Sequence, residues 1–363
     1  MPLGTLRRNM PQTLVLNLTS EPTDAEKIRQ AAFIVRSGGL VAFPTETVYG
    51  LAANADDTSA IARLRSVKAR PVEKPFSIHL ADREQVLEHT APLNMVARKA
   101  LERLLPGPVT LVLPDRKGGF VGIRVPAHDV ARQFLREAAV PVVAPSANRA
   151  DQPAPVDAAG VLAELDGQID AVLDAGPTPM REASAVVQLG RGPIQMLRSG
   201  LITEADIRRI AHVMVLFVCT GNSCRSPMAE GLLRKRLADA HGVEPSQLPE
   251  CGYEILSAGT ACSWSVGATP QAIEVLRRFG IDLSTHRARP ATPELLNRAD
   301  RIFAMTRSHI KALLEIEPAA QEKLELLCRS GEEIPDPVGG GLEVFRRCAE
   351  QIDRAIAERM EEL

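Results

Sequence analysis

Absences set the first bounds on this chain. No cysteine occurs before Cys219 in 363 residues, although six follow: Cys219, Cys224, Cys251, Cys262, Cys328 and Cys348. A secreted disulfide framework would not leave the longer part of a chain without thiols, so reduced cysteines are expected. There is no CxxC and no cysteine–histidine pair at zinc spacing, so no metal site is expected in the protein itself. No run of about 18 apolar residues is present, and the opening residues lack the charged-then-apolar pattern of a secretion signal. A cytoplasmic protein with no membrane partner is the expectation. The formal net charge of −2 excludes both a polybasic nucleic-acid arm and an acidic solubilising tail. Walker loops, GxGxxG fingerprints, fixed-period repeats and low-complexity segments are all missing.

What is present has ordinary globular composition, 45% hydrophobic and 24% charged. The length suits two domains of about 150–200 residues. Residues 1–11 show no periodicity and read as a mobile tail, residues 12–211 as a first domain, and 212–363 as a second. In the first, apolar residues at Ala25, Ile28, Ala31, Ala32 and Val35 predict a helix over 23–37, ended by Gly38-Gly39. Strands are expected at 76–80, 110–114, 122–125, 140–144 and 185–189, with helices between several of them, which predicts an α/β domain on a mixed sheet. The polar helical segment 201–212 leads into the strand VMVLFV. From there strands near 213–218, 253–257 and 301–304 alternate with helices from about 226, at 269–279 and at 341–362. That alternation favours a parallel, doubly wound sheet. The closing ERMEE (358–362) reads as a solvated helix end.

Cys219-Thr-Gly-Asn-Ser-Cys-Arg225-Ser226 joins an apolar strand to a helix with Pro227 in its first turn. A loop of this length can turn successive backbone N–H groups inward as an anion cradle. In such a field a thiol with an ordinary pKa of about 8.5 becomes a thiolate nucleophile at neutral pH. A guanidinium six residues on can fork onto phosphate oxygens. Ser226 stands where it could hydrogen-bond the thiolate as it becomes a leaving group. A lone cysteine at a strand end is more often structural; C-x5-R-S in this setting argues for catalysis. An acid is also needed for the leaving group, and EIPDPVGGG offers Asp336 on a Pro/Gly-rich loop, although Asp-Pro before glycines is also a common turn.

FVCTGNSCRSPMAE, SAGT, ATPQAIEVLRRFGIDLSTHRARP, ADRIFAMT and DPVGG, in that order over roughly 213–360, resemble the low-molecular-weight protein-tyrosine phosphatase family. The resemblance implies Cys219 as nucleophile, Arg225 as phosphate binder and Asp336 as general acid. Asn222 and Ser226 would shape a phosphate loop completed by Thr220, Gly221, Ser223 and Cys224, with no cofactor. Cys224 would trap an oxidised Cys219 as a disulfide. Tyrosine-specific members usually carry a bulky aliphatic residue in place of Ser223 and aromatic residues after the Asp-Pro, where this chain has Val338-Gly339. The arginine-phosphatase branch has a small hydroxyl residue at the Ser223 place, threonine rather than serine. Phosphoarginine on proteins is therefore the expected substrate; phosphotyrosine is the alternative, with Trp264 as a candidate aromatic wall. The relay cysteines of thioredoxin-coupled arsenate reduction are absent after the second helix. His286 reads as a helix-cap or surface residue, and Cys251, Cys262, Cys328 and Cys348 as structural thiols.

In the first domain Lys68 and Arg70 stand two apart, as do Ser146 and Asn148; on extended backbone each pair shares a side. Paired cations with small hydroxyl and amide donors suit phosphate and carboxylate groups. GGLVAFPTETVYGLAANA, KARPVEKPFSIHL, LLPGPVTLVL, VGIRVPAH, PVVAPSANRADQPAP, ELDGQIDAVLDAG and MLRSGLIT, over about 14–203, resemble the YrdC-type threonylcarbamoyl-AMP synthase family. The resemblance implies that L-threonine, bicarbonate and ATP with Mg2+ condense to threonylcarbamoyl-adenylate and pyrophosphate, feeding the tRNA-modification machinery, and it implies double-stranded RNA binding. Lys68 and Arg70 would hold phosphates and the carbamoylated group. Thr45, His79 and Ser184 would line the threonine and nucleotide cavity, Ser146 and Asn148 would bind the adenylate, and Arg198 would close the site. The family usually has KGRP where this chain has KARP, Ser-Thr-Val at 184–186, and Arg-Pro-Gly at 198–200. A non-catalytic RNA- or nucleotide-binding module is the alternative. The whole reads as a bifunctional enzyme.

Overall fold

The structure is a computed structural model that describes residues 12–19, 24–69, 74–262 and 265–363. The 1–11 tail, Arg70 and Trp264 lie outside the described residues. Backbone proximity divides the chain into two units. One runs to Pro92 and adds Ala100–Leu189 and Gln195–Ile210; the other is Leu93–Lys99, Gly190–Ile194 and Ala211–Leu363.

The first unit is built on a mixed sheet. Its strands among the described residues are β1 (Leu14–Asn17), β2 (Val41–Phe43), β3 (Gly50–Asn54), β4 (Ile78–His79), β5 (Val109–Pro114), β6 (Phe120–Arg124), β7 (Val142–Val143), β8 (Ala171–Asp174), β9 (Ala185–Gln188) and β10 (Gln195–Arg198). Their spatial order is β1-β8-β2-β3-β7-β4-β6-β5-β9-β10. Parallel pairs (β1·β8, β2·β8, β4·β6, β5·β9) and antiparallel ones (β2·β3, β3·β7, β4·β7, β5·β6, β9·β10) both occur along this order. Apolar side chains fill the unit in two clusters. One packs the helix Asp24–Arg36 and the helix Asp129–Ala138 on β2, through Ile28, Val35, Phe43 and Phe134. The other packs Leu64 of the helix Thr58–Lys68 with Leu51, Val161 and Val172. The amphipathic spacing that predicted the first helix is the face that is buried: Ile28, Ala31, Ala32 and Val35.

The second unit carries β11 (Val213–Cys219), β12 (Tyr253–Gly259), β13 (Arg301–Ala304) and β14 (Leu324–Leu326), all parallel, in the order β12-β11-β13-β14. Every residue of β11 is buried, as its unbroken apolar run requires of a central parallel strand. The chain leaves β11 toward β12 and later returns to β13 on the other flank. That reversal makes the carboxyl end of β11 a topological switch point, where ligands of such folds collect.

Two local expectations change. Lys68 is the last residue of a helix, not part of an extended segment: Asp57 caps the start, accepting from the Ser59 and Ala60 amides, and Ala69 ends it in the left-handed region at φ 49°. ERMEE is solvated only in part: Glu358 and Glu361 are exposed, but Arg359 is not. Arg359 is buried, donates to the Leu326 and Leu327 carbonyls, pairs with Glu325 and Glu362, and lies over the Phe303 ring, while Leu363 is buried. A guanidinium with five donors can be buried only when carbonyls and carboxylates surround it, and here β14, Leu327 and Glu362 supply them.

Candidate active sites

In the second unit Cys219 ends β11 and pairs in register with Gly259 of β12. The loop then climbs into the helix Arg225–His241. A Cβ on Gly259 would lie 2.5 Å from the Thr220 carbonyl and 3.1 Å from the Asn222 nitrogen, so the loop can pass this close only over a glycine. Asn222 takes the left-handed conformation (φ 51°) and is anchored through its side chain and its carbonyl. Its Nδ2 donates to Ser226 Oγ (2.9 Å) and Ser257 Oγ (2.8 Å), and its Oδ1 accepts from the Arg289 amide (2.9 Å). Its carbonyl accepts from His286 Nε2 (2.7 Å), so His286 braces the loop rather than capping a helix at the surface. Glu230 accepts from Ser257 Oγ at 2.7 Å and extends the brace.

The buried thiol of Cys219 lies 3.0 Å from Ser226 Oγ, which is also 3.2 Å from the Ala258 carbonyl. Asn222 already occupies an acceptor position on that oxygen, and its single proton has two acceptors in reach, the Ala258 carbonyl and, once ionised, the Cys219 sulfur. Arg225 is buried and donates to Asp336 Oδ2 (2.6 Å) and the Ile334 carbonyl (3.2 Å), while its Nε is buried without an acceptor among the described residues. A guanidinium so held has donors in place for an anion at the loop, and Asp336, 47% exposed, stands beside it. Cys348 packs its thiol 3.8 Å from the Pro335 carbonyl under this acid loop. Burial pushes that thiol up to about 12, so it stays protonated. Ser223 is half-buried at the rim, its Oγ 3.6 Å from Cys224 Sγ, which also meets Thr269 Oγ1 at 3.5 Å. Val338, after the Asp-Pro, is 66% exposed.

The sequence reading passed over His309. Its ring bridges Thr220 Oγ1 (2.9 Å from Nε2) and Thr306 Oγ1 (2.7 Å from Nδ1). Burial, then the Arg225 charge, lowers it to about 4, so it is neutral near pH 7. A histidine three residues into a helix that opens Thr-Arg-Ser-His was the available signal.

In the first unit a cavity of about 660 Å³ opens over β4, β6, β9 and β10. His79, Ser146, Ser184 and Arg198 line it, with Arg124, Lys74 and Thr110, which sequence reasoning did not single out. His79 and Arg124 are register partners on parallel strands and so share a face. Burial, then the Arg124 charge, holds His79 down at about 3, and its Nδ1 is 3.3 Å from the Ser77 carbonyl. Ser184 Oγ is 3.1 Å from Thr110 Oγ1, and Arg198 donates to the Ser184 carbonyl from Nε (3.0 Å) and Nη2 (2.7 Å).

Lys68 is buried, with its ammonium on the carbonyls of Ser146 (2.6 Å) and Asn148 and on Asn148 Oδ1 (3.0 Å). Ser146 Oγ also donates to Asn148 Oδ1 (2.5 Å). The lysine and the Ser-x-Asn loop therefore come together, the cation bracing the loop through these contacts. Thr45 is buried in a tight turn, donating to the Val48 carbonyl at 2.6 Å, and only Val48 of that turn reaches the cavity. An arginine in an otherwise apolar strand, VGIRV, was the signal that would have found Arg124. Among the described residues no group of three or more His, Cys, Asp or Glu side chains is placed to hold a metal, and no helix is long and apolar enough to cross a membrane.

A thiol at the switch-point strand end, backed by a serine and an arginine, is the arrangement of cysteine-dependent phosphatases; the mixed-sheet unit, with its cation-lined cavity, is a separate α/β binding fold. Comparison with known proteins resolves both. Residues 34–200 match the family described as telomere recombination (Sua5, YciO, YrdC), and residues 214–363 match the low molecular weight phosphotyrosine protein phosphatase family. A threonylcarbamoyl-AMP synthase of Pyrococcus abyssi is 36% identical over 62% of this chain and 69% of its own length. That of Bacillus subtilis is 37% identical over 52% of this chain, which spans only 57% of the Bacillus protein. The solved structure of a double alanine variant of P. abyssi Sua5 is 25% identical, with a TM-score of 0.52, covering 94% of this chain and 97% of that one. The chain belongs to the Sua5/YciO/YrdC family of threonylcarbamoyl-AMP synthases and carries, on its C-terminal side, a low molecular weight phosphotyrosine protein phosphatase domain.

Proposed function

We propose that the first unit forms threonylcarbamoyl-adenylate and pyrophosphate from L-threonine, bicarbonate and ATP, and that the second hydrolyses phosphoproteins, phosphoarginine preferred. The product of the first would feed tRNA threonylcarbamoylation, in the cytoplasm. In the synthase unit Arg124 at the cavity wall supports an amino-acid carboxylate as ligand: Glu46 balances its charge, but its Nε is buried without a hydrogen-bond partner among the described residues. Arg198, Lys74 and Ser146 border the remaining volume, which suits the nucleotide, with Mg2+ arriving on its phosphates. These groups act by positioning and charge neutralisation rather than proton transfer.

In the phosphatase unit one observation carries the reading: Cys219 Sγ at 3.0 Å from Ser226 Oγ, beside a buried Arg225 with an unpaired Nε. The thiolate attacks phosphorus, the bond from phosphorus to the substrate nitrogen or oxygen breaks, and Asp336 gives that leaving atom a proton. Water then attacks the phosphocysteine, Asp336 takes its proton, inorganic phosphate leaves, and Ser226 donates to the departing thiolate. A substrate phosphate competes with Asp336 for Arg225 Nη2, so binding frees the acid for its task. The rim supports phosphoarginine: Ser223 supplies a hydroxyl where an aliphatic group would exclude a guanidinium nitrogen, and Val338-Gly339 supplies no ring. The test is kcat/KM on phosphoarginine and phosphotyrosine peptides, with Cys219→Ser as blank. A tenfold or larger advantage for phosphoarginine is expected; an advantage for phosphotyrosine overturns the preference, and equal rates in variant and wild type overturn the chemistry.

A further inference from the structure

Arg124 is held from behind by an acid for which the sequence suggested no role. Its Nη2 lies 3.0 Å from Glu46 Oε1, 2.6 Å from Thr47 Oγ1 and 3.4 Å from Thr45 Oγ1. Both side chains are nearly inaccessible, 6% for Arg124 and 3% for Glu46. Yet Arg124 Nε and Glu46 Oε2 have no hydrogen-bond partner among the described residues. A buried ion pair repays its desolvation only when its remaining donors and acceptors are satisfied. Buried unsatisfied groups on both members are uncommon and call for a reason. Arg124 also forms part of the cavity wall, whereas Glu46 does not. The acid thus touches only the rear of the guanidinium, and one nitrogen, Nη2, takes all three anchoring contacts.

We propose that Glu46 is a positioning residue for the amino-acid substrate. With Thr45 and Thr47 it fixes the guanidinium plane and leaves the remaining N–H groups of Arg124 for the substrate carboxylate. Glu46 touches no substrate; it acts through Arg124. Its charge also prevents a second effect. Without a counter-ion, a buried Arg124 would turn toward any available carbonyl, and the cavity would lose its anion donor. This role of Glu46 concerns only the Arg124 side of the cavity, the nucleotide part being bordered by Lys74, Ser146 and Arg198.

The inference rests on the synthase reading, and the experiment separates the two. Pyrophosphate release by the full chain is measured against L-threonine, L-threoninamide and ATP for wild type, Glu46→Gln and Thr47→Val; the second variant removes the 2.6 Å contact without changing charge. Glu46→Gln is expected to raise KM for threonine about tenfold, with KM for ATP within about twofold of wild type, in keeping with the loss of a charge-assisted contact. Thr47→Val should shift the same constant in the same direction by less. With threoninamide, which has no carboxylate to position, wild type and Glu46→Gln should perform alike. An unchanged threonine KM overturns the proposal. So does an equal loss toward threonine and ATP, because Glu46 would then be a structural group for the whole cavity. If wild type releases no pyrophosphate that depends on both threonine and bicarbonate, the synthase reading fails and the proposal falls with it.

Discussion

Ser226 and His309 show how far single residues in the phosphatase unit are set by partners distant in the chain. Ser226 was legible beside Arg225, but what holds its hydroxyl against Cys219 was not: Asn222 donates to it, and Asn222 is itself held by Ser257, His286 and Arg289, 35, 64 and 67 residues away. Pattern within one loop names the nucleophile; only the fold brings its braces together. Removing the hydroxyl with Ser226→Ala should slow breakdown of the phosphocysteine more than its formation. A pre-steady-state burst of product and a steady rate lower by about 10²-fold are expected, the usual cost of losing one donor to a developing anion. His309 gives a pH prediction. Its pKa is lowered from the ordinary 6.5 to about 4, so between these values the unfolded chain binds more protons than the folded one. Its contribution to stability is therefore complete above pH 6.5 and is lost as pH falls toward 4. His309→Gln should flatten the dependence of unfolding on pH across that window, read by denaturant titration at several pH values; an unchanged slope would exclude His309 as its source.

Elements were legible where their periodicity is strong and strands are long. β11 lies where seven apolar residues in a row demanded a buried parallel strand, and the helix Leu342–Arg359 occupies most of the terminal span read as helical. The two-residue strands β4 and β7 are shorter than the segments that predicted them, although backbone hydrogen bonds from Leu80 to Arg124 and from Ala144 to Ser77 carry the contact past their ends. β14 escaped notice: Leu324–Leu326 is three residues long and joins the sheet only because β13 offers a free edge. At Ala69 the backbone favours the glycine of the KGRP pattern, and nothing in the structure explains the alanine. It closes the helix Thr58–Lys68 at φ 49°, where a Cβ is unfavourable. Ala69→Gly should relieve that strain and raise the unfolding free energy by up to about 1 kcal/mol, less what glycine's freer unfolded chain takes back. Thermal unfolding of the first unit in the full chain would read it, and a lower midpoint would contradict the strain.

On the scale of the whole chain, two units with different sheets carry two separate sets of chemical groups. Composition already allowed this, and the cysteine-free first part pointed to where thiol chemistry ends. The Lys68 site shows what such reading leaves out, because the same cation also braces the Ser146–Asn148 loop, while Arg124, one of the cations at the cavity wall, lay in a strand that looked merely structural. If the units are two enzymes in one chain, their activities must part under a single substitution. The most direct measurement is the pair of rates, pyrophosphate release with threonine, bicarbonate and ATP and hydrolysis of a phosphoarginine peptide, on one preparation of Cys219→Ser beside wild type. The expected result is pyrophosphate release at the wild-type rate with peptide hydrolysis abolished. Hydrolysis that survives the substitution, or pyrophosphate release that wild type never shows, would contradict it.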